Sequence, residues 1–443
     1  MTTELRHALS RRALLGLSAG AGVTAALAAT GCNRFGGGGS PAATASEINF
    51  VWWGDAARAK STQAMLDLFS KENAGVTLRT EYQDSGPYAD KLATRFAAND
   101  VPDVFAQRRD SLREYAGRGA LLNLREHLDV LKVEDVPETI QKIGTVGDAM
   151  FGIPAGLNAV GFVINKTLAE KYGVSVPDGD SWSWDDYFAM AAAITKASGK
   201  KVYGGDIDFG TLQNVVVFVR QTGEELYNPD DTLGVSTATM TDWFSLSVEQ
   251  RKTGALPPAG FIESLGGGAE QSPLALGTVA SQVIPTNNMK ANNQAAGGNL
   301  QLNRMPGEVQ GKRRGMSIDT AMYWSIGTKS KNIDGGLKLL DFMINSVEGN
   351  KAVGPTRGVP ASSAVAEAIA DSLDPDDKTS VDYITGLSKE QLPESRPDPV
   401  GGSEIADLIA NLATEVMFAR VAPADAAKQF TDGAAKILKA NNS

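Results

Sequence analysis

From residue 47 onward the apolar positions keep two periods that succeed one another along the chain. Glu47 to Trp53 (EINFVWW) is β-branched and aromatic and stops at Gly54, which predicts a strand. Asp55 can cap a helix running to about Asn73, with Met65, Leu68 and Phe69 on one face. Val76, Leu78, Thr80 and Tyr82 alternate as a second strand, and Tyr88, Leu92 and Phe96 give the next helix its stripe. Asp103 to Ala106 is a short third strand. A β-α-β-α-β order predicts a parallel sheet with right-handed crossovers and ligand sites at the carboxyl ends of strands.

The pattern then recurs with different contents. Val160 to Asn165 (VGFVIN) reads as a strand after the turn at Gly152-Ile153-Pro154, and Ser183 with Asp186 makes a capping box for a helix through Ala197. Val279 to Pro285 and Ala321 to Gly327 read as strands. Ile333, Leu337, Leu340 and Ile344 mark one helix, and Ile405, Leu408, Ile409, Leu412 and Val416 another. A body of roughly 400 residues exceeds what one core serves, so two α/β lobes are expected.

The first 46 residues lack this periodicity. Ser10-Arg11-Arg12 precedes an apolar run from Ala13 to Ala29, followed by Gly31-Cys32 and a glycine-rich stretch. A basic start, a short apolar run and small residues before a break predict a secretory signal over residues 1–31. The run is short and interrupted by glycine for a bilayer span, which needs about 20 apolar residues. SRRALLG resembles a twin-arginine (Tat) export signal, and Ala29-Thr30-Gly31-Cys32 resembles a bacterial lipobox, with Ala29 where leucine is usual. Cys32 is the only cysteine, so no intrachain disulfide can form, and lipid attachment gives it a use without a partner. Residues 32–46 then read as a flexible tether with a reach of about 20 Å.

Charge and composition narrow the chemistry. The formal net charge is −10, and removing a leader that holds Arg6, Arg11, Arg12 and Glu4 makes it more negative, so nucleic acid and anionic lipid are not expected partners. His127 is the single histidine outside the leader, too few for a Cys/His metal site, and no nucleophile-elbow string accompanies it. No catalytic residue, metal or cofactor is assigned, and no GxxxxGK[ST] nucleotide loop occurs.

A series of landmarks spans about residues 47 to 440: INFVWWGD, PDVF with GRGALLNL, FGIPAG leading into VGFVINKTLAEKYGV, SWDD, WSIGTKSKNIDGGLKLLDFM, and RGVPAS. Their order and spacing resemble the family 1 extracellular solute-binding proteins, the sugar-binding lipoproteins of ABC importers. The resemblance implies a periplasmic-binding-protein-like clamshell, each lobe a mostly parallel sheet flanked by helices, with three crossovers at a hinge. It implies an N-lobe of 47–155 plus 286–321 and a C-lobe of 156–285 plus 322–443. Crossovers are then expected near Pro154–Asn158, Pro285–Asn288 and Ala321–Ser325. It implies a monomer, anchored through lipid on Cys32 at the extracellular face of the cell membrane, that passes a carbohydrate to ABC permease subunits without bond chemistry.

A sugar site needs flat aromatic faces for pyranose C–H patches and planar polar groups for hydroxyls, since each hydroxyl left unpaired costs about 1–3 kcal/mol. Trp52, Trp53 and Asp55 close the first strand; adjacent strand residues point oppositely, so at most one of the two tryptophans faces the cleft. Tyr323 and Trp324 form a pair at the expected third crossover, and Trp182 flanks the Ser183 cap, while Trp184 and Trp243 read as structural. Polar candidates are Gln83 at the second strand end, Arg108 with Arg109 after the third, Asn158, Asp206 beside Asp208, Asn287, Asn288 and Arg357. The three arginines leave room for an anionic or other non-sugar solute. Asp206 and Asp208 are the pair a secreted glycan-cleaving enzyme would use.

Overall fold

The computed structural model describes residues 47–262, 269–320 and 322–441. The expected leader, tether and Cys32 lie outside the described residues. Among the described residues ten strands form, in chain order β1 (Glu47–Trp53), β2 (Thr77–Gln83), β3 (Val104–Arg108), β4 (Thr145–Val146), β5 (Ala149–Met150), β6 (Ile153–Pro154), β7 (Val160–Asn165), β8 (Ser281–Pro285), β9 (Leu300–Asn303) and β10 (Met322–Ile326). β4 and β5 make a small hairpin. One sheet has the order β2-β1-β3-β10-β6, a second the order β8-β7-β9. Helices flank both sheets, giving a two-lobed α/β architecture.

Local signals produce the expected elements. Asp55 caps helix α1 (Ala56–Glu72) by accepting from the Arg58 N–H at 2.8 Å. Ser183 and Asp186 exchange both bonds of a capping box at the start of helix Trp184–Ala197. β1 is buried on both faces from Phe50 to Trp52, which is why its second half is continuously apolar where its first half alternates. Phe50 and Trp52 share a face, their rings stacked at 4.7 Å. In the second lobe Trp243 is fully buried between Phe209 and Phe218, its indole N–H donating to the Phe209 carbonyl at 3.0 Å. Helices Thr237–Thr253, Gly402–Met417 and Pro423–Asn441 pack on one another there.

The sheets depart from expectation in two ways. β1 is parallel to β2 and β3, but β10 runs antiparallel to β3 and β6, and β7 is antiparallel to both of its neighbours. The second sheet is therefore antiparallel, extended at its β8 edge by parallel bridges from Tyr203 and Asp206. Strand membership is also exchanged: residues 300–303, expected in the N-lobe, pair with β7, and residues 322–326, expected in the C-lobe, pair with β3. The chain does not cross at Pro285–Asn288. It turns there into helix Met289–Ala295 and returns as β9 to the same sheet.

The crossings lie elsewhere. Asn158 and Asp319 exchange two backbone bonds at 2.8 Å, and Leu157 and Val359 exchange two more at 2.6 and 2.9 Å. Three segments, near residues 155–159, 319–320 and 357–361, thus lie side by side between the sheets. Gly358 sits among them with φ +118°, and a Cβ there would stand 2.4 Å from the Leu157 carbonyl oxygen.

Candidate functional site at the seam between the lobes

The carboxyl ends of β1 and β3 meet second-lobe residues at these crossings, and arginines dominate the meeting. Arg58, in the first turn of α1, reaches across to donate from Nη2 to Asn288 Oδ1 at 3.1 Å. Arg109, directly after β3, pairs with Asp319 on the second crossover and with Asp398 at 3.2 Å. It also donates to Ser395 Oγ at 2.8 Å and to the Arg396 carbonyl at 2.7 Å. Burial pulls its pKa down, but Asp398, through charge and hydrogen bond, together with Tyr323 and Tyr227 holds the guanidinium above its ordinary pKa. Arg108 folds back onto its own loop, holding Asp110 through two bonds at 2.7 and 3.1 Å. Arg113 pairs with Asp231.

Arg357 is buried beneath this seam, 8% exposed. Its guanidinium lies over the Trp324 ring at 5.2 Å and donates to Thr62 Oγ1 at 2.8 Å, with the Trp53 carbonyl and Met322 Sδ each at 3.4 Å. Its Nε has no hydrogen-bond partner. Burial, then the neighbouring Arg58 charge, pull its pKa down to about 9, with Asp55 acting in the opposite sense. Its carbonyl accepts from Asn158 Nδ2 at 2.9 Å, so one residue touches the first-lobe core with its side chain and a crossover with its backbone.

The remaining candidates divide. Trp53 is half-buried at the strand end against Tyr88, and Asp55 is exposed beside it. Together with Arg108, Asn158, Asn287, Asn288 and Arg357 these stand at the lobe ends or crossovers. Trp52, Tyr323 and Trp324 do not present a ring to solvent: they are 1%, 0% and 2% exposed. Trp52 is sandwiched between Phe50 and Tyr82, and Tyr323 donates its hydroxyl to the Ile143 carbonyl. Their strands are covered on both faces, so an aromatic near a strand end is core there. Trp182 is likewise core, donating to the Arg304 carbonyl at 3.1 Å and set edge-on to Phe162. Asp206 is buried at the edge of the second sheet, accepting from Gln282 at 3.0 Å. Gln83 donates to Glu81, its own strand neighbour.

Arg58, Asp319, Ser395 and Asp398 were not singled out by sequence. Arg58 carried a usable signal, a long cation in the first turn of a helix that opens on a strand end. Among the described residues no group of three or more His, Cys, Asp or Glu is placed to hold a metal, and no helix is long and apolar enough to cross a membrane. Beside the crossovers a cavity of about 650 Å³ opens, lined in part by Ile140, Leu157, Ile318, Val359, Ile384 and Leu392.

Two α/β lobes joined by three crossovers, with polar side chains converging on the seam, define the class of two-lobed solute receptors. Comparison with known proteins gives the family: the chain belongs to the bacterial extracellular solute-binding proteins, whose family model matches residues 25–348. A family 1 extracellular solute-binding protein from Alicyclobacillus acidocaldarius is similar, with 26% identity over 89% of this chain and 98% of that one and a TM-score of 0.69. A periplasmic oligogalacturonide-binding protein from Yersinia enterocolitica, solved with saturated digalacturonic acid, has 20% identity over 90% of this chain and 100% of that one, with a TM-score of 0.78. An uncharacterized lipoprotein of Streptomyces antibioticus is 26% identical over 107 residues, 24% of either chain. The match thus spans about a quarter of that curated relative's length.

Proposed function

We propose that this protein is the substrate-binding component of an ABC importer, held outside the membrane by lipid on Cys32, and that it captures a carbohydrate at the seam and delivers it to a permease pair. The observation that carries the reading is the meeting of the two lobes of a solute-binding fold at the end of β1, where Trp53 and Asp55 stand and Arg58 reaches across to Asn288. Trp53 offers an apolar face to a pyranose, and the Asn288 amide and Asp55 carboxylate offer planar groups to its hydroxyls. The sugar ligand of the similar Yersinia protein supports a carbohydrate, and the Streptomyces lipoprotein supports the anchor. Binding of this kind needs a hinge rather than a catalytic pair, and Asp206 is already engaged by Gln282.

A thermal-shift screen of the full-length chain against mono- and oligosaccharides, polyols and sugar acids tests it. A ligand at 100 times its Kd adds about 2.7 kcal/mol to the folded state, so a true ligand raises Tm selectively. Flat curves across every carbohydrate sink the reading. Loss of membrane association in Cys32→Ser tests the anchor separately, and co-purification with the permease subunits tests delivery.

A further inference from the structure

Among the arginines of the seam, Arg108, Arg109 and Arg113 each hold a carboxylate. Arg58 and Arg357 do not: among the described residues neither has an ion-pair partner, and Arg58 bonds only a neutral amide through its side chain. Both converge on the end of β1, Arg357 through the Trp53 carbonyl and Arg58 from the first turn of α1 after the Asp55 cap. A buried guanidinium without a counter-charge is costly, and folded proteins ordinarily supply one. Here Trp324, Thr62 and a carbonyl surround the cation, and its Nε is left bare. Asp55 is the near carboxylate, but it is exposed and its side chain caps the helix. The 17-residue helix α1 adds its positive N-terminal end to the same place.

We propose that the ligand taken at this seam carries a carboxylate, as a uronic-acid sugar does, with Arg58 binding it and Arg357 supplying a second positive charge from beneath. The inference rests on the carbohydrate reading above and narrows it to acidic sugars. The single bond from Arg58 to Asn288 is exchangeable. A ligand carboxylate in that position takes a charge-assisted and bidentate bond where the amide takes one, and Asn288 is freed to meet a sugar hydroxyl. Arg357 is too enclosed to contact the ligand itself; its part is electrostatic and positional. In a chain of net charge −10, two arginines against the one capping carboxylate of Asp55 leave a net positive charge at one strand end.

The test is calorimetric titration of the full-length chain with disaccharides of galacturonic, glucuronic and mannuronic acid, each beside its neutral counterpart with CH₂OH for the carboxylate, plus a panel of neutral oligosaccharides. One acidic member is expected to bind at least about 10-fold more tightly than its neutral partner, with an affinity that falls as salt rises. Arg58→Gln should remove about 10- to 100-fold of the acidic affinity, the worth of a charged hydrogen bond, and weaken the neutral partner by much less, so that the preference for the acid is lost. Arg58→Lys should restore part of the preference. Unchanged thermal unfolding of both variants shows that the fold is intact. Equal binding of acidic and neutral partners, or equal weakening of both by Arg58→Gln, overturns the proposal while the carbohydrate reading stands. A neutral oligosaccharide bound more tightly than every acidic member does the same. If no sugar of either kind binds, the carbohydrate reading fails and this inference with it.

Discussion

Replacing Arg109 with alanine is the sharpest probe of how the lobes are joined. The guanidinium links the end of β3 to Asp319 on a crossover and to Ser395, Arg396 and Asp398 in the segment before helix Gly402–Met417. Its removal leaves two carboxylates and a serine without that partner. The side chains of Arg109, Asp398 and Asp319 are 19%, 11% and 22% exposed, so solvent can relieve part of the loss. Breaking a fully buried pair costs about 3–5 kcal/mol; discounted for this exposure, about 2–4 kcal/mol is expected. Urea unfolding at pH 7 measures it, in a cycle with Asp398→Asn and the double variant. A coupling energy of at least about 1 kcal/mol is expected for groups in direct contact. A destabilisation under about 0.5 kcal/mol, or strictly additive effects, would refute the assignment of Arg109 as the tie between the lobes. Arg109→Lys should recover only part of the loss, because an ammonium cannot reproduce the fork that holds Asp398, Ser395 and a carbonyl together.

Four further outcomes are expected. Trp243→Ala should cost about 3–5 kcal/mol in chemical unfolding, since it empties a fully buried site and orphans the Phe209 carbonyl. Gly358→Ala should lower Tm by several degrees and perturb ligand affinity, because its Cβ collides with the backbone of an adjacent crossover; wild-type values for both would contradict the geometry. Ser183→Ala should cost about 1 kcal/mol through loss of the capping box. Acid should destabilise the fold in part through Glu390, whose pKa is depressed first by its hydrogen bond from Arg304. A carboxylate depressed in the folded state stabilises above its unfolded pKa near 4.5 and loses that contribution as pH falls through the folded value. Stability measured from pH 6 downward should therefore fall less steeply in Glu390→Gln, and an unchanged slope would count against the pairing.

Much of the architecture is readable from neighbours in sequence. The Asp55 cap, the Ser183 and Asp186 box and the succession from β1 through β3 depend on residues a few positions apart, and they stand where the pattern puts them. What failed is what depends on distant partners. Nothing local in LQLN or MYWSI reveals that the first pairs with β7 and the second with β3. Period two shows that Trp52 and Trp53 oppose each other, but helices cover both faces of β1, and Phe50 and Tyr82 decide that Trp52 is enclosed. Arg108 and Arg109 are alike in sequence. Only the arrival of Asp398, 289 residues later, makes Arg109 the connector and leaves Arg108 to its own loop. Arg58 reads as an ordinary solvated cation because Asn288 lies 230 residues away.

The order β2-β1-β3-β10-β6 also constrains how this molecule is made. β3 is complete at Arg108, but the strand that covers its free edge ends at Ile326. At about 5–20 residues per second of synthesis, the interval between them lasts roughly 10–40 s. Throughout it the almost wholly buried sequence Val104–Arg108 has unpaired N–H and C=O groups along one side, a template for wrong pairing. The second sheet is synthesised entirely within that interval, so it can form while the first is still unfinished. Nascent chains of this protein should therefore depend most on chaperones before residue 326 emerges, and truncations ending just short of β10 should aggregate where slightly longer ones do not.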